Sequence, residues 1–247
     1  MPIAGLYKIF DHWHAEGTTW IYSDPHFNDP DLKKGIQRPD ADELVRLINS
    51  KCGRKDTFIC LGDIVDVEYV RKIRAKYKIL ICGNHDRGAS NYERKTFTMK
   101  FDADKFQKSE ALEEMKRLYP NCRYDIQHGY SLSQGPFEYW TVSADNMLFD
   151  EVYTGPLMIA ENIILSHEPI ENLPFWCVNL HGHDHAGRRN DKRHFNFCAD
   201  VINYIPVNFN QWMKEGHLSK IESIHRETID RATERKRKRG GKKLGEK

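Results

Sequence analysis

The stretch KILICGNHD (78–86) decides the fold. Ile79, Leu80, Ile81 and Cys82 form an unbroken apolar run that stops at Gly83. A run this short, ended by glycine, predicts a strand buried on both faces, and such strands belong to parallel sheets covered on each side. Asn84, His85 and Asp86 then lie just past the strand's C-terminal end, where open α/β sheets keep their functional residues. The same arrangement recurs on both sides. Upstream, TTWIYS (18–23) runs into Asp24-Pro25-His26 and TFICL (57–61) into Gly62-Asp63; downstream, NIILS (162–166) runs into His167 and WCVNLHG (176–182) into His183 and His185. Between the early strands, Leu44, Leu47 and Ile48 recur at helical spacing with Asp40 placed to cap, and Tyr69, Val70 and Ile73 suggest a second helix. Strands alternating with helices predict an α/β chain of parallel βαβ units.

Further along, the pattern loosens. A helix is expected within 102–118, with Phe106, Leu112, Met115 and Leu118 on one face and Pro120 as its stop. EYWTV (138–142), GPLMIA (155–160) and HFNFCADV (194–201) read as strands, and Leu218, Ile221, Ile224 and Ile229 suggest a terminal helix over 218–236. The 247 residues, 39% hydrophobic and 30% charged, suffice for one large globular domain and are too apolar for wholesale disorder. No stretch approaches 18 consecutive apolar residues, and the opening has neither the basic segment nor the apolar core of a secretory signal, so the expected compartment is the cytoplasm with no membrane partner. Six cysteines without a C-x-x-C pair argue against a zinc ribbon, and they read as buried filler. The net charge of +2 hides an asymmetry: residues 231–247 hold nine basic residues against two acidic, which leaves the remainder acidic. Such a segment is expected to be a solvated, disordered tail, with nucleic-acid binding as the alternative.

The strand ends carry the chemistry. Asp24, Asp63 and Asn84 offer oxygen, and His26, His167, His183 and His185 offer imidazole nitrogen. A mixed N/O set without thiolate suits Mn, Fe, Zn or Ni rather than calcium or a structural cysteine–zinc site. Chance is a poor explanation, since G-N-H-D is expected roughly 0.003 times in a chain of this composition.

In order, Asp24-x-His26, Gly62-Asp63, Gly83-Asn84-His85-Asp86, a lone His167 and Gly182-His183-x-His185 resemble the signature of the calcineurin-like metallophosphoesterase superfamily, in particular its small bacterial and phage-type members. The resemblance implies a four-layer αββα sandwich in one domain over residues 1–230, with an insertion around 88–148 that matches no block. It implies two divalent or trivalent transition-metal ions, manganese first among them, and hydrolysis of a phosphodiester or phosphomonoester by a metal-bridging hydroxide. Carried over by residue, Asp24, His26 and His185 hold one metal, Asn84, His167 and His183 the other, and Asp63 bridges. His85 becomes the proton donor to the phosphoryl or leaving oxygen and Asp86 the group that orients it. Arg87 and Asn28 are candidate substrate contacts. Asp66 reads equally as support for Asp63 or as a helix cap. His12, His14, His128 and His181 read as structural. Competing readings are a nuclease guided by the basic segment and a non-catalytic interaction scaffold; the presence of both His85 and Asp86 weighs against the scaffold.

Overall fold

A computed structural model describes residues 5–14, 16–86, 88–132, 137–221 and 224–242. Its elements, in chain order, are β1 (Thr19–Tyr22), α1 (Pro30–Gly35), α2 (Ala41–Lys51), β2 (Thr57–Cys60), β3 (Tyr77–Ile81), β4 (Thr96–Asp102), α3 (Lys108–Leu118), β5 (Arg123–Ser131), β6 (Phe137–Asp145), β7 (Glu151–Tyr153), β8 (Leu157–Ala160), β9 (Ile163–Leu165), β10 (Val178–His181), β11 (His194–Asn196), β12 (Val207–Asn208), α4 (Phe209–Lys214) and α5 (Ile224–Lys242). They make a five-stranded sheet ordered β12-β1-β2-β3-β7, a four-stranded sheet ordered β11-β10-β9-β8, and a three-stranded sheet ordered β4-β6-β5.

The first two sheets form the expected sandwich. Register aligns Ile21 with Ile59 and Ile59 with Ile79, and this row packs against Ile163, Leu165, Val178 and Leu180 of the other sheet. On the opposite face, Tyr22, Phe58, Cys60 and Leu80 meet Leu44, Val45 and Ile48 of α2. Each of these side chains contributes roughly 1.5–3 kcal/mol by leaving water. Asp40 caps α2 as expected, its carboxylate accepting the Glu43 N–H at 2.8 Å. The outer face of β10 carries Asn179 and His181, both fully buried beneath loop backbone. The Ile170 N–H donates to Asn179, and His181 Nε2 reaches the Arg189 carbonyl at 2.8 Å.

Three local expectations change. The second helix is a short 3-10 segment, Val67–Lys72, capped by Asp66. The helix expected within 102–118 is there as α3, but its expected apolar face is not intact: Phe106 precedes the helix and Leu118 is 40% exposed. The basic segment, expected as a solvated tail, falls in helix over its described length: α5 runs through Lys242, while residues 243–247 lie outside the described residues. Its Arg, Lys, Glu and Ala residues are good helix formers, and residues 228–237 remain exposed. Ile229 is 46% exposed, so the expected apolar face stops at Leu218 and Ile221, which pack on the body.

The stretch around 88–148 forms a lobe of its own. β4, β5 and β6 pair antiparallel, and α3 packs its Ala111 and Met115 on one face against Phe101, Val142 and Ala144. Arg94 ties the lobe's base to the body, pairing with Asp145 at 2.6 Å and Asp150 at 2.7 Å.

Candidate metal centre

The chain beyond β1 keeps pairing after the strand has ended: Asp24 N donates to Gly62 O, His26 N to Asp63 O and Phe27 N to Ile64 O. The two sheets meet at the same place, where His183 N donates to an Asp24 carboxylate oxygen at 2.8 Å. Asp24, His26, Asp63 and His183 all sit at positive φ, between 40° and 65°. Each such conformation costs on the order of 1 kcal/mol for a residue with a Cβ and persists only where surrounding bonds enforce it. Two glycines of the motifs are explained by close approach: a Cβ at Gly182 would collide with the Asp24 carboxylate, and one at Gly83 with that of Asp63.

These loops bring all seven proposed ligands together. The Asp24 Oδ1 atom lies 3.8 Å from His26 Nε2 and 3.9 Å from His185 Nε2. On the other side, His167 Nε2 is 2.9 Å from Asn84 Oδ1 and 3.1 Å from His183 Nδ1. Asp63 Oδ2 stands between the groups, 3.3 Å from both His26 Nε2 and His167 Nε2. Asp24 Oδ1 and His26 Nε2 are fully buried without a hydrogen-bond partner among the described residues. Buried polar atoms are normally satisfied, so a pair of orphans facing one another within a cluster of nitrogen and oxygen donors fits a cation.

The imidazoles are pre-oriented. Leu61 O can only accept, so His167 Nδ1 carries the proton toward it at 2.8 Å and leaves Nε2 to the cluster. Carboxylates do the same elsewhere: Asp29 holds His26 Nδ1 at 2.8 Å, and Asp200 holds His185 Nδ1 at 2.6 Å. Burial alone would lower the His167 pKa, yet Asp63 and Asp24 outweigh it and push the value up to about 9. Burial likewise opposes the charge on Asp63, and His167, His26 and the His85 N–H overcome it and hold that carboxyl far below its usual range. A cation entering the cluster therefore displaces protons.

His85 projects outward over this floor. It is exposed, its backbone N–H donates to Asp63 Oδ1 at 2.9 Å, and its ring meets that of His26 edge-on at a centroid distance of 5.0 Å. Among the described residues no hydrogen bond joins the Asp86 carboxylate to the His85 ring. Successive residues of this tight turn point to opposite sides, so Asp86 is buried where His85 is exposed, and its oxygens accept the N–H groups of Asp63, Ile64 and Gly83 at 2.8–2.9 Å. Burial dominates its environment and raises its pKa despite those three bonds. Asp86 thus clamps the Asp63 loop to the Gly83 turn. Asn28 donates to Asp66 at 2.8 Å, which shapes the loop, while Asp66 also accepts the Glu68 N–H as a cap. Arg87 lies outside the described residues. His181 is buried between backbone carbonyls, and His128 pairs with Glu138 out on the lobe.

A model of the calcineurin-like phosphoesterase family matches residues 17–187. This chain belongs to that family. Among solved structures, a protein of unknown function from Aquifex aeolicus, AQ665, is similar at 18% identity, covering 80% of this chain and 98% of that one with a TM-score of 0.45. No curated protein matches the chain. Within this calcineurin-like phosphoesterase, sequence reading missed Asp29, Asp200, Arg38 and Cys198. Asp29, three residues after His26, left a readable trace as the N-cap of α1. Asp200 left none, being fifteen residues from the imidazole it holds. Arg38 donates to the carbonyls of Asp24 and Pro25 from beneath the loop, at 3.0 and 3.1 Å. Cys198, read as filler, lies 3.4 Å from His185 Nδ1, and burial pushes its thiol pKa far up, which keeps it a neutral wall of the site.

A further cavity of ≈330 Å³ adjoins Asn84 and His167. Cys82, Thr154, Pro156, Glu168 and Ile170 help to line it, and neither lysine nor arginine does so among the described residues. Among the described residues, no helix is long and apolar enough to cross a membrane.

Proposed function

We propose that this chain is a dinuclear-metal phosphoesterase. The observation that carries the reading is the position of Asp63 Oδ2, equidistant at 3.3 Å from two imidazole nitrogens belonging to separate ligand groups. Asp24, His26 and His185 would hold one cation, Asn84, His167 and His183 the other, and Asp63 both. Two cations bound in this cradle would supply Lewis acidity and an activated water for attack on phosphorus. The N/O set accommodates manganese, iron, zinc or nickel, and the family resemblance puts manganese first.

The chain's own groups supply the rest. Asp29, Leu61 O and Asp200 fix the imidazoles so that the ligating nitrogens need not reorganise. His85, exposed at the mouth, hands a proton to the oxygen that leaves, a role worth about 10²- to 10⁴-fold in rate. The cavity beside Asn84, lined by no lysine or arginine among the described residues, suits a small ester whose alcohol carries no second phosphate. A nuclease reading has one observation behind it, the exposed basic surface of α5. The deciding experiment is hydrolysis of bis-p-nitrophenyl phosphate and p-nitrophenyl phosphate after exhaustive chelation and after adding back Mn²⁺. Activity should vanish and return, the preferred ester separating diesterase from monoesterase; full turnover by protein with no metal by elemental analysis would refute the proposal.

A further inference from the structure

At the other end of the central sheet, where β3 begins, a cavity of ≈620 Å³ opens between the body and the base of the lobe. Its volume falls within the range of small-molecule sites. Six cationic side chains line it: Arg54, Arg74, Lys76, Lys78, Arg94 and Arg123. Three already have carboxylate partners, Lys76 in Glu16, Arg94 in Asp145 and Asp150, and Arg123 in Asp145. Among the described residues, the guanidinium groups of Arg54 and Arg74 make no ion pair.

Lys78 is the most informative of the six. It is only 4% exposed, and its ammonium donates to the carbonyls of Val70 and Met147, both at 2.8 Å. An ammonium has three donors, so one is left over, and no carboxylate lies within ion-pairing distance among the described residues: Asp150 on the cavity wall and Asp145 act on it only from farther off, and both are taken by Arg94. Burying a cation without a counter-charge is expensive, and protein interiors ordinarily avoid it. The cavity therefore presents a buried ammonium with a spare donor at its floor and two unpaired guanidinium groups at its rim.

We propose that this cavity binds a multiply charged phosphate anion of the diphosphate or nucleoside-diphosphate class, at a site separate from the metal centre. Three uncompensated cations match an anion of two to four charges, and guanidinium forks bind phosphate oxygens in pairs. The site is too distant to be part of the reaction, since β3 spaces Lys78 from Asn84 by six residues, roughly 20 Å at strand rise. It touches the strand that leads to Asn84, the tie Arg94 and, within the lobe, Arg123, so a bound anion would brace lobe against body. Burial already draws the Lys78 pKa down to about 8, a cost that a bound anion offsets.

The test is a calorimetric titration of the metal-loaded, full-length chain with methylenediphosphonate, a non-hydrolysable diphosphate, and with ADP, beside the double variant Arg54→Ala/Arg74→Ala and the single variant Lys78→Met. Circular dichroism establishes that the variants are folded. The wild type should bind one equivalent that both variants lose or hold at least about tenfold more weakly. Tighter binding of ADP would identify a nucleotide ligand, and equal binding an inorganic diphosphate. Identical stoichiometry and affinity in the wild type and both folded variants would overturn the assignment, whatever the outcome of the hydrolysis experiments.

Discussion

In the sandwich, all four residues of β2 are buried, whereas in the lobe β5 alternates exposed and half-buried residues along nine positions. The body's strands are covered on both faces and end abruptly, so polar residues collect just past their C-terminal ends, held by the backbone of the neighbouring strand. The lobe keeps one face of its antiparallel sheet wet, buries five core residues, two of them on α3, and contains none of the three clusters of metal-competent side chains found among the described residues. The candidate ligands are thus concentrated in the body. The lobe is attached through charge, and its joint is where a ligand could alter its placement.

The largest effect expected of a single substitution lies at the shared carboxylate. Asp63→Asn should lose activity together with most bound metal, because both ligand groups depend on it. His85→Ala should lose about 10²- to 10⁴-fold in turnover while keeping close to two metals per chain. Elemental analysis beside kinetics separates the two, and equal metal loss in both variants would move His85 into the coordination sphere.

At the joint the effect is smaller and depends on pH. A lysine whose folded pKa is about 8, against a reference of 10.5, binds fewer protons folded than unfolded between those values, so its contribution to stability rises with pH across that window. The penalty is fully present below pH 8. The unfolding free energy of the wild type minus that of Lys78→Met should therefore shift in the wild type's favour by up to about 3 kcal/mol between pH 7.5 and 10.5. Urea denaturation of both proteins at several pH values measures it, and a flat difference would mean that the ammonium is already compensated.

The smallest effect is expected outside both regions. Deleting residues 231–247 should leave turnover on a small ester unchanged, since no proposed ligand lies beyond His185. If α5 instead recruits nucleic acid, the deletion should flatten the salt dependence of DNA binding, by about 0.9 in the log–log slope for each duplex phosphate that the shortened chain no longer neutralises. Titration of both proteins with duplex DNA at two salt concentrations distinguishes these outcomes.

Most of the body was legible because its strands are short apolar runs with abrupt polar endings. The lobe was less so, although the alternation of Phe97, Met99 and Phe101 with Thr98 and Lys100 is a period-two signal of the β4 strand. A half-exposed strand carries few apolar residues, which makes that signal weak beside an unbroken run. The glycines of the motifs could be recognised as a pattern, but the collision each avoids involves an aspartate from another segment.

Residue order alone determined which side chains stand at strand ends, because strand length and burial are local properties of apolar runs, and it therefore nominated all seven ligand candidates. Only the tertiary structure decided how those side chains are used and supported. Asp86 was adjacent to His85 in the chain, yet the turn sends the two in opposite directions and gives Asp86 to the backbone of Asp63. Asp200 was remote from His185, yet the sandwich brings it within 2.6 Å. Hydrogen bonds and charge pairing depend on distance and direction in space, and closing two sheets against each other sets both for residues whose separation along the chain carries no trace of it.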